Sequence, residues 1–422
     1  MQSGSDSSTA MLPASPESAD PSSDGTKRGY VLAVVSASHL LNHIQGGIGS
    51  ILLPVMMTEM GFDLFQLGLL TSVFQLASSA MQSIYGLLAQ YFRRSTLLGI
   101  SNIMVGLSGA TMGFTQTYAQ VMGVRMGFGL ASSAQHPLGV TTLASYFRKV
   151  KGQVLGIHNT AGNIGSLVAP LIVVALLRFF DWRTIWIVLA IPSVLMGFAY
   201  FFFGDAVSKS NDQSATSAKV ALGKYISCLR NREVMVVSAI QMVGAAGRGT
   251  DINQAFFVPF FIAWLHVDTS IAGLLLALLQ FGGVLGPVCI GWLSDRTGRR
   301  WAIFVVLFLS TVSTITLLFH SEVSVALLLN LLIYGAVVNS RESLTQSMIS
   351  DAVPESHADA AFSLYFFIGF ISGPAWTALT GYLIDRTGFT VAFLVVGLTY
   401  LNGIWLIGLL SPRKKAQAVP VH

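Results

Sequence analysis

Residues 232–264 read REVMVVSAIQMVGAAGRGTDINQAFFVPFFIAW, a stretch long and apolar enough to cross a bilayer that nevertheless carries Arg248 and Asp251 near its middle. A charge at that depth costs about 2.5–3.5 kcal/mol on insertion scales, so such residues face a bundle interior or a wet cavity. In a helix, positions i and i+3 share a face, which lets the guanidinium and the carboxylate lie side by side. The composition around the stretch agrees with a membrane setting. Of 422 residues, 53% are hydrophobic and 10% are charged, against roughly 25% charged in an ordinary soluble domain. The two cysteines, Cys228 and Cys289, are too few for a disulfide framework and sit in no metal-ligand spacing. The chain reads as an all-α polytopic membrane protein.

Working outward from this stretch, the chain holds twelve apolar runs near the ~20 residues that a ~30 Å hydrocarbon core requires. They cover about residues 30–57, 64–90, 95–114, 118–145, 152–177, 183–203, 232–264, 270–293, 301–319, 322–349, 358–383 and 389–410. With the N-terminus inside, the loops and tails on the cytoplasmic side take Lys27, Arg28, Arg93, Arg94, Arg148, Lys149 and Lys151. They also take Lys209, Lys219, Lys224, Arg230, Arg232, Arg296, Arg299, Arg300 and Arg413–Lys415, leaving only Arg178, Arg183 and Arg386 outside. This is the positive-inside asymmetry of a chain with both ends cytoplasmic. It also explains the net charge of +5 without a nucleic-acid partner.

The chain divides into a tail at 1–29, a six-helix half at 30–203, a polar linker at 204–231, a second six-helix half at 232–410 and a tail at 411–422. The first 26 residues, rich in Ser, Asp and Pro, have too little to bury and are expected to be disordered. They lack the basic and apolar regions of a secretory signal. The halves resemble each other at an offset of 205 residues, with Gln75 on Gln280, Gly86 on Gly291, Leu88 on Leu293 and Arg94 on Arg299. The same offset sets His43 on Arg248. Repeated halves place a transporter's site at their interface near the midplane.

Residues 291–300, GWLSDRTGRR, occupy the loop between spans eight and nine. Here the chain resembles the major facilitator superfamily, whose short-loop motif runs G-x-L-a-D-r-x-G-r-r. Glycine allows a tight helix turn, Asp295 is suited to accept from a neighbouring helix end and its Arg residues, and the basic run holds the loop at the cytoplasmic face. Gly291, Asp295, Arg296, Arg299 and Arg300 are the gating candidates. The matching first-half loop, GLLAQYFRR at 86–94, has Gln90 where the motif has Asp, a weaker latch. Arg125 and Gly129 in span four resemble the family's R-x-x-x-G segment. Gly156, Gly165, Ala169 and Pro170 in span five resemble the G-x8-G-x3-G-P pattern of its antiporters, in which small residues let helices approach.

Segments 38–56, 73–88, 132–139 and 156–170 together are similar to the fosmidomycin-resistance branch, exporters driven by proton antiport. The resemblance implies two six-helix halves, alternating access, a monomer and no cofactor. It also implies that spans one, four, seven and ten line the central cavity. Of the nine ionisable residues at membrane depth, eight fall on those spans: His39, His43, Arg125, His136, Arg248, Asp251, Arg341 and Glu342, with His158 the exception. The substrate-binding candidates are His43, Arg125, His136, Arg248 and Arg341. Arginine's planar fork suits a small anion, and nearby Phe256, Phe257 and Trp376 suit an amphipathic compound.

Asp251 and Glu342 are the proton-coupling candidates. A substrate anion arriving at Arg248 would compete with Asp251 and leave that carboxylate easier to protonate, which couples the two at one locus. His39 and His43, at i and i+4, form half of a metal grip, but the sequence shows no third ligand and no metal is assigned. Neither a Ser-His-Asp arrangement nor a Gly-rich phosphate loop supports catalysis. The expected function is export of a small anionic or amphipathic compound by proton antiport, with proton-coupled uptake of a small organic acid as the alternative.

Overall fold

Helices form along the apolar runs because a backbone in hydrocarbon has only itself to hydrogen-bond with. A computed structural model describes the backbone of residues 21–89, 91–147, 150–201, 218–243, 249–354 and 357–410, and there is no strand among them. The first half comprises α1 (Pro21–Met60), α2 (Leu64–Leu88), α3 (Arg94–Met112), α4 (Tyr118–Ser132), a π-turn (Gln135–Gly139), α5 (Val140–Tyr146), α6 (Lys151–Leu176) and α7 (Trp182–Phe201). After α8 (Ala218–Arg230), the second half comprises α9 (Arg232–Val243), α10 (Gly249–Leu265), α11 (Thr269–Thr297), α12 (Arg299–Thr316), α13 (Val325–Ala352), α14 (Ala358–Phe370) and α15 (Gly373–Ile407).

Among the described residues, nine helical runs are long and apolar enough to cross a membrane. The fourth crossing is interrupted by the π-turn, and the seventh is described in two parts, α9 and α10. The last run holds two crossings, divided at Gly388, whose φ of 81° breaks the helix. Twelve crossings in two halves result. Large apolar side chains such as Phe114, Val288 and Trp405 point outward, Trp405 at 81% exposure. An apolar exterior of this kind belongs against lipid rather than water, and the protein is a multi-pass membrane protein.

Helix starts follow capping residues. Thr117 and Gln120 make a reciprocal capping box at α4, Asp268 accepts from Ile271 N at 2.9 Å at α11, and Ser324 accepts from Leu327 N at 3.3 Å at α13; each satisfies an orphan N–H. Of the expected tail at 1–29, residues 1–20 lie outside the described residues and helical backbone already begins at Pro21. Residues 204–217 of the linker and the tail from 411 also lie outside them, while the linker's later part forms α8.

Across the interface, α2 lies against α15 and α6 against α11. Ser72 Oγ donates to Pro374 O at 2.6 Å and Gln75 Nε2 to Thr377 Oγ1 at 3.2 Å. Asp385 accepts from the N–H groups of Leu64 and Phe65 at 3.3 and 2.6 Å, so α15 caps the start of α2 in the other half. These links run from the middle of α2 to the end of the bundle opposite the loop that joins α11 to α12. We call the two ends the sealed end and the basic end. Removing a cap costs about 0.5–2 kcal/mol, and this one exists only while the sealed end is closed. Asp385→Ala is therefore expected to shift the equilibrium about 2- to 30-fold toward separation there. Spin labels at Gln116 and Thr390 would report it as a larger long-distance population; an unchanged distance distribution would contradict it.

Candidate functional site

Between the halves, on the basic-end side of the seal, lies a cavity of about 150 Å³. Its wall is mixed: Asn42 and His43 come from α1, Ser78 from α2, Ser132 from α4, His136 from the π-turn, Asn163 and Ser166 from α6, Gln280 from α11 and Asn339 from α13, with Phe74, Val284 and three glycines between them. Both halves therefore contribute. On α6, Asn159 and Asn163 are one turn apart and both exposed. Amides at this depth are costly against hydrocarbon, so that face belongs toward the cavity, which Asn163 lines.

The local sequence explains how α1 and α6 come so close. A Cβ on Gly162 would sit 2.7 Å from His39 Cε1, and one on Gly165 would sit 2.9 Å from His43 Cβ. Ala169 Cβ meets the place where Gly47 would carry its own, at 2.7 Å. The small-residue face of span five is thus the seat of α1, whereas Gly156 has open space around it. Overpacking a closed contact costs about 1–3 kcal/mol. Gly165→Val is expected to lower the unfolding temperature in detergent and reduce the monodisperse yield; unchanged melting would show that the seat has slack.

In span four, Pro137 has no N–H to give, and the backbone widens into the π-turn, a feature common at functional sites. Asn42 Nδ2 donates to Ser132 O at 3.2 Å, and Gln135 Nε2 donates to Ser38 Oγ, tying this span to α1. His136 thereby arrives beside the α1 histidines. Ring centroids lie 4.6 Å apart for His39 and His43, 5.3 Å for His39 and His136, and 6.0 Å for His43 and His136. His158 of α6 stacks on His39 at 4.1 Å.

The other sequence candidates are placed differently. Arg125 is buried, with its guanidinium 4.6 Å from the Phe74 ring and 5.8 Å from Phe128. Seven residues make nearly two full turns, so Arg125 shares a face with Ser132 but lies nearer the sealed end, behind Phe74. Arg341 is 1% exposed and stacks 5.5 Å from Tyr400 inside the second half. Two residues along a helix are about 200° apart, so Asn339 faces the cavity and Arg341 faces away. Glu342 accepts from Gln346 Nε2 at 3.0 Å on its own helix. Arg248 lies outside the described residues, as does the side chain of Asp251, whose backbone belongs to α10. Phe256 and Phe257 are buried, Phe257 against Tyr334 and Phe393, rather than lining the cavity.

At the basic end, Gly298 turns the chain from α11 to α12 with φ at 94°. Asp295 pairs with Arg299 at 2.9 Å, and Arg299 reaches Asp351 at the end of α13 at 3.3 Å and Ser294 at 3.0 Å. The expected latch from Asp295 to a neighbouring helix is thus made through Arg299 and inside one half. Arg296 lies 3.8 Å over the Trp292 ring, Arg300 Nη2 has no hydrogen-bond partner among the described residues, and Gly291 borders open space. Gln90 lies outside the described residues.

The sequence reading missed the neutral lining: Asn42, Asn163, Gln280 and Asn339. The repeat that matches Gln75 with Gln280 was the available signal.

Twofold-repeated helices around a shared polar cavity define a membrane transporter. The Major Facilitator Superfamily pattern matches residues 35–263 and 249–421, and this chain belongs to that superfamily. It is 22% identical to the probable L-galactonate transporter of Escherichia coli (strain K12), over 93% of this chain and 91% of the relative. It is 23% identical to the fosmidomycin resistance protein of the same organism, over 91% and 94%, in keeping with the branch likeness of spans one to five. The crystal structure of nucleoside transporter NupG has the same fold, with a TM-score of 0.75 over 91% of this chain and 100% of that one at 14% identity.

Proposed function

We propose that this chain is a secondary active transporter of the cell membrane that exports a small anionic or amphipathic compound by proton antiport, through alternating access. The cavity carries the proposal: in a chain only 10% charged, imidazoles and hydroxyls of the first half and amides of both halves converge on one space of about 150 Å³. Such a wall hydrogen-bonds the polar part of a small solute, whether anionic or amphipathic. The seal made by α2 and α15 supports an inward-facing arrangement, with the basic end and both termini cytoplasmic as the positive-inside rule requires. The chain works as a monomer in the bilayer, with small solutes and protons as partners and no nucleic acid, cofactor or catalytic step. Arg248 and Asp251 provide the exchange of substrate for proton, with Glu342 as a second proton site.

Uptake of a small organic acid is the second reading, favoured by the relative named for L-galactonate. Everted membrane vesicles with an imposed pH gradient separate the two. Accumulation of a carboxylate or phosphonate on acidifying the lumen is the expected result. Growth of intact cells on the compound, with no accumulation in vesicles, would overturn export in favour of uptake.

A further inference from the structure

The histidine cluster holds more than hydrogen-bonding capacity. One ligand nitrogen each from His39, His43 and His136 lies within 4.8 Å of the others, and the third ligand that the sequence did not reveal is brought in by the π-turn. His39 is 3% exposed, and its Nδ1 lies 2.9 Å from the carbonyl oxygen of His158. A carbonyl only accepts, so Nδ1 carries the proton and Nε2 carries the lone pair. That Nε2 is buried with no hydrogen-bond partner among the described residues. An orphaned buried acceptor is costly, and a lone pair fixed in place by a backbone carbonyl behind it is the arrangement of a metal-ligating imidazole. His43 Nδ1 is held at 2.9 Å by Ser166 Oγ, which orients that ring in turn.

We propose that His39, His43 and His136 form a binding site for a divalent first-row transition metal of the zinc, cobalt or nickel type in the cavity wall. Metal–imidazole bonds of about 2.0–2.1 Å at tetrahedral angles hold ligand nitrogens about 3.4 Å apart, so binding draws the three rings together by up to about 1.4 Å, within reach of side-chain rotation. An all-imidazole set suits these metals, whereas calcium and magnesium require oxygen ligands. His43 and His136 line the cavity and His39 lies behind them. The remaining coordination position therefore faces the space a solute occupies and is open to an anionic oxygen. The site stands on this geometry and not on the direction or the coupling of transport.

The test uses the full chain, purified in detergent without a polyhistidine tag and dialysed against zinc or cobalt. One ion per chain is expected, with cobalt giving the visible absorption of a low-coordinate nitrogen site. His136→Gln alters an exposed side chain and should leave melting of the metal-free protein unchanged while weakening zinc binding at least about 100-fold. Ser166→Ala removes a supporting contact and should weaken it about 10–100-fold. His266→Gln and His320→Gln, at the sealed end, should have no effect. Zinc affinity unchanged by His136→Gln, or lost in the sealed-end variants instead, would overturn the site. So would binding that gives no nitrogen signature with cobalt.

Discussion

The Gly68→Leu variant is expected to insert and fold, yet to transport about 10–100-fold more slowly than the parent. Gly68 stands where α2 crosses α15: a Cβ there would lie 2.7 Å from the carbonyl oxygen of Thr377 and 3.2 Å from Phe256 Cζ. The carbonyl is backbone and has nowhere to go. Overpacking at such a crossing costs about 1–3 kcal/mol, and each 1.4 kcal/mol is tenfold in an equilibrium. The cost falls only on the state in which the sealed end is closed, so the variant populates the opposite state and cycles rarely. Initial rates in vesicles at matched expression would measure the loss. Parental rates would mean that the helices part without consequence, and that α2 and α15 do not form a gate.

Exchange of Asp251 for Asn is expected to abolish accumulation driven by a pH gradient while leaving gradient-free exchange of labelled for unlabelled solute. Proton coupling needs a group whose protonation alternates with substrate binding, and Asn cannot titrate. A static ion pair with Arg248 would instead make the variant lose insertion or stability, with both transport modes falling together. Undiminished gradient-driven accumulation in reconstituted vesicles would remove Asp251 from the mechanism.

Topology was legible because the bilayer imposes it. Loop arginines such as Arg296, Arg299 and Arg300 sort by side, and GWLSDRTGRR marks a tight turn that Gly298 makes. The small-residue pattern of span five was legible too, since Gly165 and Ala169 do seat α1. The site was harder to read because charge draws attention that geometry does not always reward. Arg125 and Arg341 meet their burial partly against aromatic faces, a solution invisible in sequence. Asn42, Asn163, Gln280 and Asn339 titrate nothing and so escaped a search for ionisable groups. His136 joins His39 and His43 only because a proline-linked π-turn brings it there, and no spacing rule spans two distant helices.

The central claim is that the polar space between the halves is reached by solutes from one side at a time. Its most direct test replaces Cys228 and Cys289 with Ser, places a single cysteine at Asn163, and follows its reaction with a membrane-impermeant maleimide in intact and everted vesicles. Fast reaction from the side bearing the basic loops and slow reaction from the other is the predicted result. Reaction from neither side, or only with a lipid-soluble reagent, would place Asn163 against lipid and contradict the account.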